Sequence, residues 1–409
     1  MIKSIRFKNF FCFKDAKVEL EKDTNVLIGI NGSGKTNFLK AIKLLYEGVT
    51  GIGLKNLIID NWGGFDNIYF SDLENEKKDR KYFIIEYELN KDVFSKFGYN
   101  FREDFYYKII VHKNPGFSNY YVTEKIYVKK EKEDDFIYLE FNNGKGCVWG
   151  KPDEEEPDSS YARNLGLIKY KDFDPQELAL NNISDPERFW VQDTIKKTIR
   201  ESIVYFYIDT TPYSKIRNAV LPTSERRLAA DGRNLAQILN TLRMNFMTNH
   251  RKMLKKLNDV NPNYLDVAFN QVGSNIELVL EEKGLDKVIH VSNISDGTLH
   301  FLCLLSIFYN PNRGQLVCID EPETGLHPDM MSQITSAIKE FSTETQFIIA
   351  THSENILNAF NLENIRVFEK NDKNETVINQ FSDKDFKGWY DKFSIGQMWR
   401  QGDLGGNRW

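Results

Sequence analysis

The chain has 409 residues, enough for one large or several modest domains, each able to bury its own core. Apolar residues make up 41% and charged residues 28%, which excludes a disordered or collagen-like chain. Lys plus Arg is 54 and Asp plus Glu is 59, a net charge of −5 that excludes a generic nucleic-acid coat but not a local basic face.

Residues 2–7 alternate as a half-buried strand, and 18–20 are expected to pair with them. Residues 25–28 form a short apolar strand that runs straight into a glycine-rich loop. A helix is predicted over 37–46, where Phe38, Leu39, Ile42, Leu45 and Tyr46 recur at helical spacing. The loop between them, Gly29-Ile-Asn-Gly-Ser-Gly-Lys35-Thr36, fits G-x-x-x-x-G-K-[ST], a pattern that cradles phosphate. Its glycines let several backbone N–H groups turn toward one anion, and the following helix adds its positive end. Gly29, Asn31, Gly32, Ser33 and Gly34 are therefore the expected cradle. Lys35 is expected to reach the β and γ phosphates, and the Thr36 hydroxyl to reach Mg²⁺.

From residue 81 the period changes to two. Residues 82–89, 105–112, 120–129 and 136–141 read as successive antiparallel strands, with Asn142-Asn143-Gly144 as a turn. Residues 151–160 carry five acids and two prolines and read as a solvated loop. A strand at 203–208 precedes one predicted helix over 234–257, with Leu235, Ile238, Leu239, Leu242, Phe246, Met253 and Leu257 on one face. Two or three strands are expected within 266–291.

The last third alternates: helix 298–309, strand 316–319, helix 329–341, strand 346–350. Such alternation argues for a parallel sheet covered on both faces. Strand Leu316-Val-Cys-Ile ends in Asp320 and Glu321, which must emerge at the C-terminal edge, where α/β sheets bind ligands. Asp320 is the expected Mg²⁺ ligand and Glu321 the base for an attacking water. Thr351-His352-Ser353 closes the next strand, and one right-handed crossover places His352 on the same edge, able to donate to a γ phosphate. Ser295-Asp296-Gly297-Thr298 opens a helix and reads either as a second anion site or as a plain N-cap.

Cys12, Cys147, Cys303 and Cys318 form no CxxC and no zinc-ligand spacing, and Cys303 and Cys318 read as small buried apolar groups. No apolar run approaches the roughly 18 residues of a membrane span, and the opening MIKSIRFKNF lacks a signal-peptide core. A cytoplasmic, reduced protein without membrane partners is the expectation.

Together these motifs resemble the ATPase heads of the ABC superfamily, specifically the SMC/RecF-like branch. IRFKNFFCF followed by LIGINGSGKTNFLKAI resembles that branch's N-terminus, and ISDGTLHFL its signature segment. IDEPETGLHP resembles Walker B with the adjoining D-loop, and ATHS the switch histidine. The form DEPETGLHP, with His327-Pro328, is similar to OLD-family and related bacterial defence ATPases. DGRNL at 231–235 and LGGNR at 404–408 resemble a stand-alone predicted-ATPase group in that branch.

The resemblance implies an α/β fold: an ABC-type P-loop ATPase head with a mostly parallel sheet core, an antiparallel β subdomain and an inserted helical lobe. Residues 1–74 and 275–372 would form the core, 75–150 the antiparallel part, 151–274 the acidic loop and helical lobe, and 373–409 a tail. It further implies ATP and Mg²⁺ as ligands, with Lys35, Thr36, Asp320 and His352 of one chain and Ser295 and Gly297 of a second closing over the γ phosphate. A homodimer or higher homo-oligomer would follow. A separate effector, a nuclease or toxin in anti-phage defence, is the implied partner. A RecF-like repair ATPase and a nucleotide-dependent scaffold with negligible hydrolysis are the rival readings.

The sequence departs from the family in three ways. No glutamine lies between the loop and Gln176, leaving Asp60, Asn61 or Asp66 as stand-ins for the Q-loop residue. The signature is S-D-G-T rather than the transporter form. No nuclease constellation follows the ATPase motifs. DNA is a candidate partner through Lys77, Lys78, Arg80 and Lys81 or through Arg251, Lys252, Lys255 and Lys256, for which a solvated face is the plainer reading. The aromatic tail from Trp389 is expected either to dock a partner or to pack on its own head.

Overall fold

The computed structural model describes residues 1–72, 80–114, 119–130, 133–151, 166–382, 384–386 and 393–405. Lys77 and Lys78, the acidic stretch after Lys151, Trp389 and Tyr390, and the last residues of LGGNR lie outside the described residues. The chain divides into two units. Met1–Lys22, Gly29–Ser202 and Val367–Asn379 form the first; Asp23–Ile28, Ile203–Arg366 and Gln380–Trp409 form the second.

In the first unit, β1 (Ile2–Phe10) pairs antiparallel with β2 (Phe13–Glu19). The next strand in the chain, β3 (Thr24–Gly29), belongs to the second unit up to Ile28. Then come β4 (Tyr82–Leu89), β5 (Phe105–Lys113), β6 (Tyr120–Val128), β7 (Phe136–Asn142), β8 (Lys145–Trp149) and β9 (Leu167–Tyr170). These strands form an eight-stranded antiparallel sheet in the order β2-β1-β4-β5-β6-β7-β8-β9. The period of two explains its faces: Phe83, Ile85, Tyr87 and Leu89 on β4 and Phe105, Tyr107, Ile109 and Val111 on β5 are buried, while their neighbours are partly open. The same alternation puts Glu124 of β6 on the buried side.

The Asn142 turn is a two-residue hairpin, with Asn142 opposite Lys145 and positive φ at both Asn143 and Gly144. The sheet thus runs on through β8 and β9, two strands that the sequence reading left out. The helix after the phosphate loop spans Lys35–Thr50 and buries Phe38, Leu39, Ile42, Leu45 and Val49.

In the second unit, β10 (Ser202–Tyr205), β14 (Leu316–Asp320), β15 (Gln346–Ala350) and β3 lie side by side in the order β10-β14-β15-β3, and β16 (Ile365–Lys370) belongs to this unit up to Arg366. β14 and β15 are parallel with Asp320 opposite Ala350, and β15 and β3 are parallel with Ala350 opposite Leu27. The C-terminal ends of these three strands therefore share one edge. Helices Asp296–Tyr309 and Pro328–Phe341 pack together within this unit. A smaller antiparallel sheet holds β11 (Tyr264–Val272), β12 (Asn275–Glu282) and β13 (Ile289–His290).

The helix expected over 234–257 is two, Leu235–Asn245 and Met247–Val260, broken at Phe246 (φ −134°, ψ 54°). His250 N–H still reaches Phe246 O at 3.0 Å, so the apolar stripe crosses a break that no Gly or Pro announces. No described helix is long and apolar enough to cross a membrane.

Candidate functional site

The loop Gly29–Thr36 opens where β3 ends. Gly34 caps the Lys35–Thr50 helix in the left-handed region, φ +114°, with Cys12 Sγ and Thr376 Oγ1 of β17 (Thr376–Gln380) 2.7 and 3.0 Å from where a Cβ would stand. A Cβ on Gly29 would run into Phe368 O and Ser33 Oγ. Only glycine closes the loop this tightly. Ser33 is buried with its O accepting from Thr376 Oγ1 at 2.7 Å, whereas Asn31, Gly32 and Thr36 face solvent.

The Lys35 ammonium is buried and donates to Gly29 O at 2.7 Å and Ile30 O at 3.3 Å, which curls the loop around its own cation. The helix it begins carries no acid in its first turn. A cradle too tight for a Cβ, an ammonium within it and an uncompensated helix N-terminus fit a phosphate chain. The Thr36 hydroxyl and the Asp320 carboxylate are oxygen donors of the kind Mg²⁺ takes.

Within the second unit, Asp320 ends β14 and Glu321 follows with φ +47°, a conformation strained for a residue with a side chain. Its N–H donates to Ala350 O at 2.8 Å, locking the start of the turn to β15. The Glu321 carboxylate stands 3.7 Å from His352 Nε2, an ion-pair separation whenever the imidazole is protonated. The sequence places both on one edge; the structure brings them face to face.

Glu323 is the residue that sequence reasoning missed. Its Oε1 accepts from Thr351 Oγ1 at 2.8 Å and from His352 N–H at 2.7 Å, while Oε2 is buried without a hydrogen-bond partner. Burial raises its pKa, nearby Glu321 adds to the rise, and the bonds from His352 and Thr351 oppose it. A lone Glu three residues past a strand carries no sequence signal for such a bridge.

Ser295 caps helix Asp296–Tyr309: its Oγ accepts from Thr298 N–H at 3.2 Å and bonds Thr298 Oγ1 at 2.7 Å. The neighbouring Asp296 pairs with Arg217, a buried guanidinium that also donates to Val291 O, Ser292 O, Ile294 O, Thr210 O and Thr211 O. Gly297 lies against Gly325: a Cβ there would be 2.6 Å from Gly325 O. Asp296, His300, Asp320, Glu321, Thr324 and Gly325 share a cavity of about 490 Å³ with residues 205–208, 210 and 211.

Other candidates find plainer places. Asp66 is bound by Lys113 Nζ at 2.6 Å, while Asp60 and Asn61 end a π-helix, exposed. His327 and Pro328 begin helix Pro328–Phe341, His327 as its N-cap and Pro328 in its first turn. In the basic helix, Lys252 pairs with Glu340 at 2.6 Å and Lys256 donates to Ser336 Oγ at 2.9 Å; Arg251, Lys252 and Lys255 are exposed. Cys303 and Cys318 are fully buried, and burial drives both thiol pKa values up.

A family model described as "AAA domain, putative AbiEii toxin, Type IV TA system" matches residues 24–358. A Helicobacter pylori protein named ATP/GTP phosphatase is 24% identical over 362 residues, covering 87% of this chain and 86% of that one. Among solved structures the chain is similar to an SMC head bound to the C-winged helix domain of ScpA, at 14% identity and TM-score 0.57 over 94% of this chain and 99% of that one. It is equally similar, TM-score 0.57 at 12% identity over 96% and 98%, to a Pyrococcus furiosus Smc head domain with an extended coiled coil bound to the C-terminal domain of ScpA. Both likenesses show an SMC-head-like α/β fold.

Proposed function

The chain belongs to the AAA-domain family just described and is a P-loop ATPase, and from that premise we propose that it hydrolyses ATP with Glu321 and His352, gated by pairing of two copies. The observation that carries this reading is the parallel register of β14, β15 and β3, which supports Asp320, Glu321 and His352 acting together at the edge at which β3 ends. Gly29, Asn31, Gly32, Ser33, Gly34 and Lys35 hold the triphosphate. Thr36 and Asp320 hold Mg²⁺, which when bound offsets phosphate charge. Glu321 orients a water and accepts its proton, and His352 donates toward the γ phosphate.

Ser295 and Gly297, at the start of their helix, close over the nucleotide of a second copy, so that each site is complete only in the pair. The motif DEPETGLHP resembles that of defence ATPases, which supports a role as sensor or regulator of a separate effector nuclease or toxin. Glu321→Gln tests the core of this reading. It is expected to bind ATP as the wild type does while turnover falls about a hundredfold or more, and to accumulate as a dimer with ATP. Wild-type turnover by that variant would overturn it.

A further inference from the structure

We propose that His300 is a positioning residue: its bond to Thr324 latches the helix that begins at Asp296 to the turn carrying Glu321, so that the position of that helix sets the hydrolytic pair. This rests on the reading of Glu321 and His352 given above. His300 Nδ1–H donates to Thr324 O at 2.7 Å, one helical turn beyond Gly297, whose Cα packs on Gly325 O without room for a Cβ. Helix and turn thus meet through two successive contacts on one helix face.

The turn is stiff. Thr324 N–H donates to Glu321 O at 3.1 Å and Leu326 N–H to Glu323 O at 3.1 Å, closing two overlapping loops. At its near end Glu321 N–H is bound to Ala350 O, and Glu323 holds Thr351 and the His352 amide. A displacement of the helix at His300 is therefore carried over three residues to Glu321 and, through Glu323, to His352. The groups form a continuous bonded path within one unit, and His300, Thr324 and Glu321 line the same cavity. Burial lowers the His300 pKa, so the neutral ring with its proton on Nδ1 is the form that makes the bond. If Ser295 and Gly297 of this helix engage a second copy's nucleotide, occupancy there is felt at this chain's own Glu321.

Three substitutions in the full chain test the latch. Asn places an N–H where Nδ1 stands, Gln places one where Nε2 stands, and Leu has none. His300→Asn is expected to keep kcat within about threefold of wild type, while His300→Gln and His300→Leu lose about tenfold or more, all with unchanged Kd for MgATP. Amide hydrogen exchange at His352 should quicken in His300→Leu and stay slow in His300→Asn. Equal kcat in the Asn and Gln variants, or wild-type kcat in His300→Leu while Glu321→Gln is inactive, overturns the latch alone. Wild-type turnover by Glu321→Gln removes the hydrolytic reading, and the latch falls with it.

Discussion

Glu323 Oε1 accepts the His352 amide proton at 2.7 Å, so the turn after β14 and the end of β15 are held by one carboxylate. Removing it leaves a buried N–H and the Thr351 hydroxyl without their acceptor. Glu323→Ala should lower stability by about 1–3 kcal/mol and lower kcat more than it raises KM, because His352 loses its anchor. Glu323→Gln keeps the acceptor oxygen and should recover most of the rate. Steady-state kinetics with urea unfolding of both variants checks this; equal damage in Ala and Gln would show that the carboxylate itself is required.

Gly34→Ala should abolish tight nucleotide binding. The added methyl would meet Cys12 Sγ at 2.7 Å, and φ of +114° is strained for any L side chain, by about 1–3 kcal/mol. Cys12→Ala in the same chain removes the nearest collision but neither the contact with Thr376 Oγ1 at 3.0 Å nor the strain, so the double variant should bind MgATP only partly better than Gly34→Ala. Fluorescence titration of wild type, Gly34→Ala and the double variant gives the share owed to the Cys12 contact.

Arg217 and Asp296 should respond unequally. The Arg217 guanidinium gathers five backbone carbonyls as well as Asp296, and Lys cannot reproduce that fork. Arg217→Lys is expected to destabilise by about 2–4 kcal/mol, whereas Asp296→Asn, at an exposed carboxylate, should change stability by less than about 1 kcal/mol. Denaturant melts of the two variants give the comparison directly.

Glu124 predicts a pH dependence. Its carboxyl accepts from Tyr107 OH, Ala179 N–H and Leu180 N–H, yet complete burial outweighs these three donors and pushes the pKa up to about 7 from an ordinary 4.5. The fold therefore favours the neutral form. That contribution is whole below about pH 4.5 and is lost as the pH climbs through about 7, where the buried group must ionise. Glu124→Gln should flatten the stability profile between pH 5 and 8, measured by urea unfolding at each pH; an unchanged slope would mean that the group is already ionised in the fold.

The elements that carry chemistry were legible because each motif demands its own backbone: Gly29 to Thr36 needs strand, turn and helix, and Asp320 needs a strand that ends. The alternation from Tyr82 to Phe141 likewise announced its sheet. Three features were not legible. Phe246 breaks a helix whose apolar stripe runs on unbroken, since packing rather than a breaker residue decides there. β8 and β9 are short, with Gly146 interrupting the pattern. Glu323 acts through the Thr351 hydroxyl and the His352 amide, and His300 through one carbonyl; such bonds depend on where two distant segments meet, which no local spacing encodes.

The Thr376 hydroxyl bonds Ser33 O, and its N–H bonds Cys12 O, so the loop near the start of the chain is braced by a residue 343 positions later. During synthesis neither bond can form before residue 376 itself has left the ribosomal tunnel. A nascent chain should thus be unable to grip triphosphate firmly until Thr376 has folded back onto the loop, a delay that keeps unbraced molecules from entering the hydrolytic cycle.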